Sequence, residues 1–247
     1  MIVATSIEQG ITTLLKKRDI HVTDWKILKK GNDDYTDILV LPNGVKVPLL
    51  WWRYHLKLNG IYSITRNRIG ELCSVKSYSF EPKDTLLKDV LYREIDLAQW
   101  WLNSKAKYVV AMESSNLSGN YLIKMHNHTV ANIEISCTLP IGAEAQHKHT
   151  VFGREGMSSD RVVDTMIVEN SIYLYNDGPN PKTFTDTDSW LYGLSSDEIA
   201  KAYCAAMLIA GKEDSNNYIE SDSVLKKIVE AARKSAITNE RIYINGD

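Results

Sequence analysis

Two His-x-His pairs, His126-Asn127-His128 and His147-Lys148-His149, set imidazoles two residues apart. Alternate residues of a β-strand share a face, so each pair has the spacing of two metal ligands. The first pair falls at an expected hairpin turn. The second lies past the far end of an expected strand of about ten residues, which at roughly 3.3 Å each holds the pairs some 30 Å apart. A joint metal site within one chain is therefore not expected, and either pair alone is at most a weak surface ligand. Asp89 and Arg93 are four residues apart in a segment with helical spacing. They read either as an ion pair on an exposed helix face, contributing about 0.3–0.5 kcal/mol, or as part of a polar pocket in which Asp89, Arg93 and Arg53 bind a sugar or a carboxylate. Arginine stays protonated at any working pH, so Arg93 fixes an anion but does not shuttle a proton as an imidazole does. The adjacent pairs Trp51-Trp52 and Trp100-Trp101 are expected to place one ring in the core and the other toward a pocket or partner. No Ser-His-Asp or Cys-His arrangement is legible in the linear order.

The elements that must position these residues alternate in type at first and then become strand-rich. Residues 1–4 read as a short strand. Residues 6–17 have helical spacing through Ile7, Ile11, Leu14 and Leu15, and Ile20-His21-Val22 reads as a second strand. This is a small βαβ-like unit. A buried-strand run, Asp37 to Leu41, then closes on Pro42-Asn43-Gly44, a turn signal that sets a domain boundary near Gly44. Beyond it, strands are expected at 47–54, 73–80, 108–113, 121–125, 130–139, 150–153, 162–168 and 171–175. The short links between them imply an antiparallel sheet. A helix over 85–104 carries Leu87, Leu91, Ile95, Ala98 and Leu102 on one stripe and is expected to pack on one sheet face. Two later helices are expected, over 195–210 with Ser195 and Glu198 in capping-box spacing, and over 223–236. The stretch 176–188, with two prolines and three aspartates, reads as a loop.

The bulk composition narrows the function classes. The chain has 247 residues, 44% hydrophobic and 24% charged, which is ordinary for a folded globular protein. A net charge of -2 supplies no basic field for a phosphate backbone, so nucleic acid is not an expected partner. Cys73, Cys137 and Cys204 are odd in number and set in apolar surroundings, which suits reduced buried thiols and a cytoplasmic location. No membrane span and no export signal is expected.

Several segments, read in order, resemble the C-terminal domain of the Gfo/Idh/MocA oxidoreductase family. Pro48-Leu-Leu-Trp-Trp-Arg53-Tyr54 resembles a family strand ending in Arg-Tyr, and Ile69-Gly70-Glu71-Leu72 resembles its IGE element. Residues 87–101 resemble the family helix D-x-x-x-H-x-x-D, with Asp89 and Asp96 in place. Ala131-Asn-Ile-Glu-Ile-Ser, Gly153-Arg-Glu-Gly-Met157 and the segment 235–243 resemble three further family segments. The likeness spans roughly residues 45–244.

The resemblance implies an α+β fold: a large, mostly antiparallel open sheet with helices on one face (residues 45–247), preceded by a reduced Rossmann-like βαβ remnant (1–44). It also implies a homodimer through the free sheet face and a ligand site near Arg53, Tyr54, Asp89, Arg93 and Asp96. The family pairs a Lys from an E-K-P motif with the helix Asp and His. This sequence has no E-K-P, and Arg93 stands where the motif has His. A dinucleotide site needs glycines after its first strand. Here the stretch reads Ala4-Thr5-Ser6-Ile7-Glu8-Gln9-Gly10, with a carboxylate near the place of the phosphate. No cofactor is expected, NAD(P) being the alternative. The expectation is a dimeric ligand-binding or accessory member of the family, associated with an active oxidoreductase. The competing expectation is an active NAD(P)-dependent enzyme for a sugar or related molecule with an atypical site.

Overall fold

The computed structural model describes residues 6–160, 171–175, 182–185 and 193–244, and the chain divides into two compact units. The first comprises residues 1–59 and 186–223, and the second 60–185 and 224–247. This division lies beyond the Gly44 turn and brings a distant segment back into the first unit. The expected strands at 1–4 and 162–168 lie outside the described residues.

The first unit opens with α1 (Ile7–Lys17), whose start is set by the Ser6 hydroxyl accepting from the Gln9 backbone N–H. Its buried stripe of Gly10, Ile11, Leu14 and Leu15 packs on α4 (Ser196–Ile209). Gly10 lets the two helices pack closely, because a Cβ there would lie 3.2 Å from Leu194 and 3.3 Å from Ala202. The expected strand at Ile20-His21-Val22 is absent. The Ile20 N–H bonds back to the Leu15 carbonyl, and Asp19 takes a left-handed φ of 57°, so this apolar stretch finishes the helix cap. The sheet that follows, β1 (Lys26–Leu28), β2 (Ile38–Val40) and β3 (Lys46–Pro48), is antiparallel throughout, so no βαβ unit exists among the described residues. Nor does the expected strand over 47–54 continue past Pro48. Leu49 and Leu50 are both fully buried, which no alternating strand allows, and Trp51–Tyr54 coil into a 3-10 turn. Ser195 and Glu198 form the reciprocal capping box at the start of α4.

The second unit holds a nine-stranded sheet, ordered β11-β10-β9-β8-β4-β7-β6-β5-β12 among the described residues. In chain order these are β4 (Leu72–Pro82), β5 (Ala106–Ser115), β6 (Ser118–Met125), β7 (Val130–Leu139), β8 (Gln146–Gly153), β9 (Gly156–Ser159), β10 (Ser171–Tyr175), β11 (Lys182–Thr185) and β12 (Ile242–Tyr243). Strand β11 falls inside the stretch expected to be a loop. Every pairing is antiparallel except β4 with β7, because the chain crosses over through α3 (Leu87–Leu102) and returns by the β5–β6–β7 meander. Helix α3 packs on β4 and β7. The sheet face toward it is dry, with Val75, Val109, Ala131, Ile133, Ile135 and Val151 buried. Alternate residues such as Met112 and Leu122, 67% and 46% exposed, mark the opposite face. Gly153 is needed where β8 passes the backbone of Ile69, since a Cβ would sit 2.0 Å from its carbonyl oxygen. Helices α2 (Leu56–Asn67) and α5 (Ser215–Thr238) each begin in the first unit and end in the second; α5 starts eight residues before the expected 223. The fold is thus α+β with a mostly antiparallel sheet, as the sequence implied. No helix among the described residues is long and apolar enough to cross a membrane.

Candidate functional site

The polar centre of the second unit is built where α3 packs over β4, beside β8. Register does most of the work. Ser77 pairs with His149 and Ser79 with His147 across the antiparallel β4–β8 ladder, so Ser77, Ser79, Glu81, His147 and His149 all face the helix. From α3, Glu94 is buried and accepts from the Ser77 hydroxyl and from His149 Nε2, 3.1 Å away. On the other side of the ring, His149 Nδ1 lies 2.8 Å from Asp160 Oδ2, just past β9. The Asp160 carboxylate also accepts the His149 backbone N–H, and the Trp101 ring closes edge-on at 5.2 Å. Burial works against charge on His149, but the Asp160 and Glu94 carboxylates outweigh it and push the imidazole up to about 9. Burial likewise raises Glu94, yet His149 and Arg93 hold its carboxyl well below the usual range.

Arg93 extends this network toward solvent. Its Nε donates to Glu94 at 2.9 Å, and its Nη2 reaches Glu81 at 3.1 Å, His147 Nδ1 at 3.1 Å and the Ser79 hydroxyl at 3.4 Å. A guanidinium only donates. His147 Nδ1 must therefore be the acceptor, which leaves the ring proton on Nε2, 3.7 Å from Glu81. Cys137 belongs to the same dry face, and burial pushes its thiol up to about 11.

The sequence-derived candidates are distributed as follows. Asp89, Arg93 and Asp96 lie together on α3, but not on an exposed face: Asp89 is 8% and Asp96 1% exposed. The exposed ion-pair reading is thereby corrected, since both carboxylates are buried. Arg53 and Tyr54 belong to the first unit. There the Arg53 guanidinium sits 5.7 Å above the Tyr218 ring and the Tyr54 hydroxyl donates to Glu213 at 2.6 Å. Burial and that carboxylate push the Tyr54 phenol up. His126 and His128 are exposed at the β6–β7 turn, as expected. The second pair is not a surface ligand: both nitrogens of His149 are engaged by carboxylates. Cys137 and Cys204 are buried and free, whereas Cys73 is exposed, contrary to expectation. Of the tryptophans, Trp52 and Trp101 are buried, while Trp100 stacks on Tyr62 at 4.3 Å. Among the described residues no group of three or more His, Cys, Asp or Glu side chains has the arrangement of a metal site.

Sequence reasoning missed Glu94, Ser77, Glu81 and Asp160. The available signal was the period-two polar run Ser77, Ser79, Glu81 beside the imidazoles of His147 and His149.

No family model matches the sequence, and no curated protein matches it. Solved structures do. An oxidoreductase domain protein from Kribbella flavida is similar at 11% identity and TM-score 0.62, over 79% of this chain and 65% of that one. GenD2 from gentamicin A biosynthesis, in complex with NAD, is similar at 17% identity and TM-score 0.61, over 80% of this chain and 63% of that one. Levoglucosan dehydrogenase, in complex with NADH and levoglucosan, is similar at 12% identity and TM-score 0.61, over 79% and 65%. The chain spans less than two thirds of the length of each. The class follows: this chain has the fold of the Gfo/Idh/MocA-type oxidoreductases. In this chain the helix that packs on the large sheet carries an arginine at position 93.

Proposed function

We propose that the chain is an oxidoreductase-family module that binds a small ligand or supports an active oxidoreductase, without binding NAD(P) itself and without Lys/Asp/His proton transfer. The observation that carries this reading is Arg93. It stands where the family helix has its imidazole, it cannot release a proton, and it takes up the lone pair of the nearest imidazole, His147. His149 is equally committed, with a carboxylate on each nitrogen. A proton relay has been replaced by a closed set of ion pairs. The stretch Ala4-Thr5-Ser6-Ile7-Glu8 lacks the glycines that let a pyrophosphate approach the backbone.

The ligand class is a neutral sugar or related polyol rather than a carboxylate. Glu81, Glu94 and Asp160, the carboxylates in contact with Arg93 and His149, outnumber those two cations, so an added anion meets net repulsion. The half-apolar open sheet face, with Met112 and Leu122, suits a homodimer, with a hetero-association as the other partner arrangement. The free thiols suit the cytoplasm.

The test is a thermal-shift titration with NAD(H) and NADP(H). A ligand at 100 times its Kd adds about 2.7 kcal/mol of stability. The expected result is no shift with either cofactor; a saturable rise overturns the proposal. A second reading, an active sugar-type dehydrogenase with an atypical site, rests on the likeness in fold to structures holding NAD or NADH. That rise, followed by cofactor reduction on adding a sugar, would establish it.

A further inference from the structure

On a different side of α3 from Arg93 lies a cavity of about 210 Å³, wholly within the second unit. Its walls come from the start of α3, the β5–β6 hairpin and α5. Leu87 and Leu91, one helical turn apart, make an apolar floor, and Leu86, 52% exposed, stands at the rim. Lys88, Arg233, Glu113, Asn116 and Tyr121 complete the lining. The Glu113 carboxylate accepts the hydroxyl of the buried Tyr121 at 2.8 Å, so it is already engaged within the wall. Lys88 and Arg233 are the two cations of the lining. Arg233 is exposed on α5 and forms no ion pair among the described residues.

We propose that this cavity is a binding site for a small amphipathic monoanion, a short-chain carboxylate, seated with its hydrocarbon on Leu87 and Leu91 and its charge on Arg233. Three physical features select that class. A cavity of about 210 Å³ is large enough to seat a short hydrocarbon chain. The leucine floor gains from apolar burial at about 25 cal/mol per Å², whereas a polyol there loses hydrogen bonds to water. A guanidinium presents a planar fork that pairs a carboxylate through two parallel N–H bonds. The site is separate from the Arg93 network and independent of the function proposed above, whose charge balance repels the anion that this cavity attracts.

The test uses the full chain and pentanoate as probe, with pentanamide as its neutral analogue, followed through the methyl NMR signals of Leu86, Leu87 and Leu91. The expected result is a saturable shift of those signals with pentanoate, and at least tenfold weaker binding of pentanamide. Arg233→Gln, an exposed position at which the fold and Tm are retained, is expected to weaken pentanoate at least tenfold and to leave pentanamide unchanged. Absence of a saturable shift at tens of millimolar pentanoate overturns the proposal. Equal binding of acid and amide, or shifts confined to residues outside the cavity, also overturns it.

Discussion

Each unit contains a carboxylate held by cationic groups, and the two differ mainly in water. In the first unit Asp37 lies 3.4 Å from Lys29 and 3.3 Å from Lys201 and accepts the Lys30 backbone N–H. Burial raises its carboxyl, but Lys201, that N–H and Lys29 together hold it below the ordinary value. Its cations meet water unequally: the Lys29 side chain is 72% exposed and that of Lys201 only 23%. In the second unit the side chains of Glu94 and Asp160 are 0% exposed and that of His149 is 2%. The same pairing chemistry therefore has opposite consequences when broken. At Asp37 water and the remaining partners make up for the loss of the exposed Lys29, whereas nothing replaces a partner lost at Glu94.

The sharpest way to break the comparison is Glu94→Ala. The variant leaves His149 and Arg93 with one fewer counter-charge in a dry site. Losing one partner of a buried pair costs about 3–5 kcal/mol. Urea unfolding of the variant beside the parent protein checks it. A loss under about 1 kcal/mol would mean that the network is solvated and the contrast between the units false.

A pH series sharpens the same contrast without mutation. The folded His149 imidazole, at about 9, lies above its ordinary value of 6.5, so its contribution to stability is complete below about pH 6.5. It declines as pH rises and is gone above about 9. A shift of this size corresponds to on the order of 3 kcal/mol. Glu94 has the opposite sign: its depressed carboxyl contributes above the usual carboxylate range and loses that contribution as pH falls through its folded value. The urea midpoint is therefore expected to fall between about pH 6.5 and 9, and the slope to vanish in His149→Gln. A parent protein whose midpoint stays flat over that window would show that His149 is not charged between its two carboxylates.

What the sequence revealed follows the same division between dry apolar and dry charged surfaces. Strand β7 was legible at both ends because Ala131, Ile133, Ile135 and Cys137 alternate with polar residues, and α3 because its leucines recur at helical spacing. Asp89, Arg93 and Asp96 were found on α3 as a group. The buried network was not, because its strand positions invert the usual pattern. Ser77, Ser79, Glu81, His147 and His149 look like a solvent face, and the charges that make their burial tolerable come from α3 and from the residue after β9. Linear order does not carry such long-range pairing. The 3-10 turn at Trp51–Tyr54 was missed for a related reason. Pro48 to Tyr54 read as a strand by composition, but Leu49 and Leu50 are buried together. Arg53 and Tyr54 consequently serve the first unit through Tyr218 and Glu213.

The smallest effect is the one expected at the wet end of the comparison. Lys29→Ala removes a cation that is largely in water, and Asp37 keeps Lys201 at 3.3 Å and the Lys30 backbone N–H at 3.1 Å. Exposed pairs of this kind contribute roughly 0.2–1 kcal/mol, and salt screens them. The expected change in unfolding free energy is under about 0.5 kcal/mol and smaller still in 0.5 M NaCl. A cost comparable to that of Glu94→Ala would mean that Asp37, itself 7% exposed, depends on Lys29 as fully as Glu94 depends on its partners, and would remove the distinction drawn between the two units. A small, salt-sensitive cost fixes burial, rather than the number of partners, as the variable that separates them.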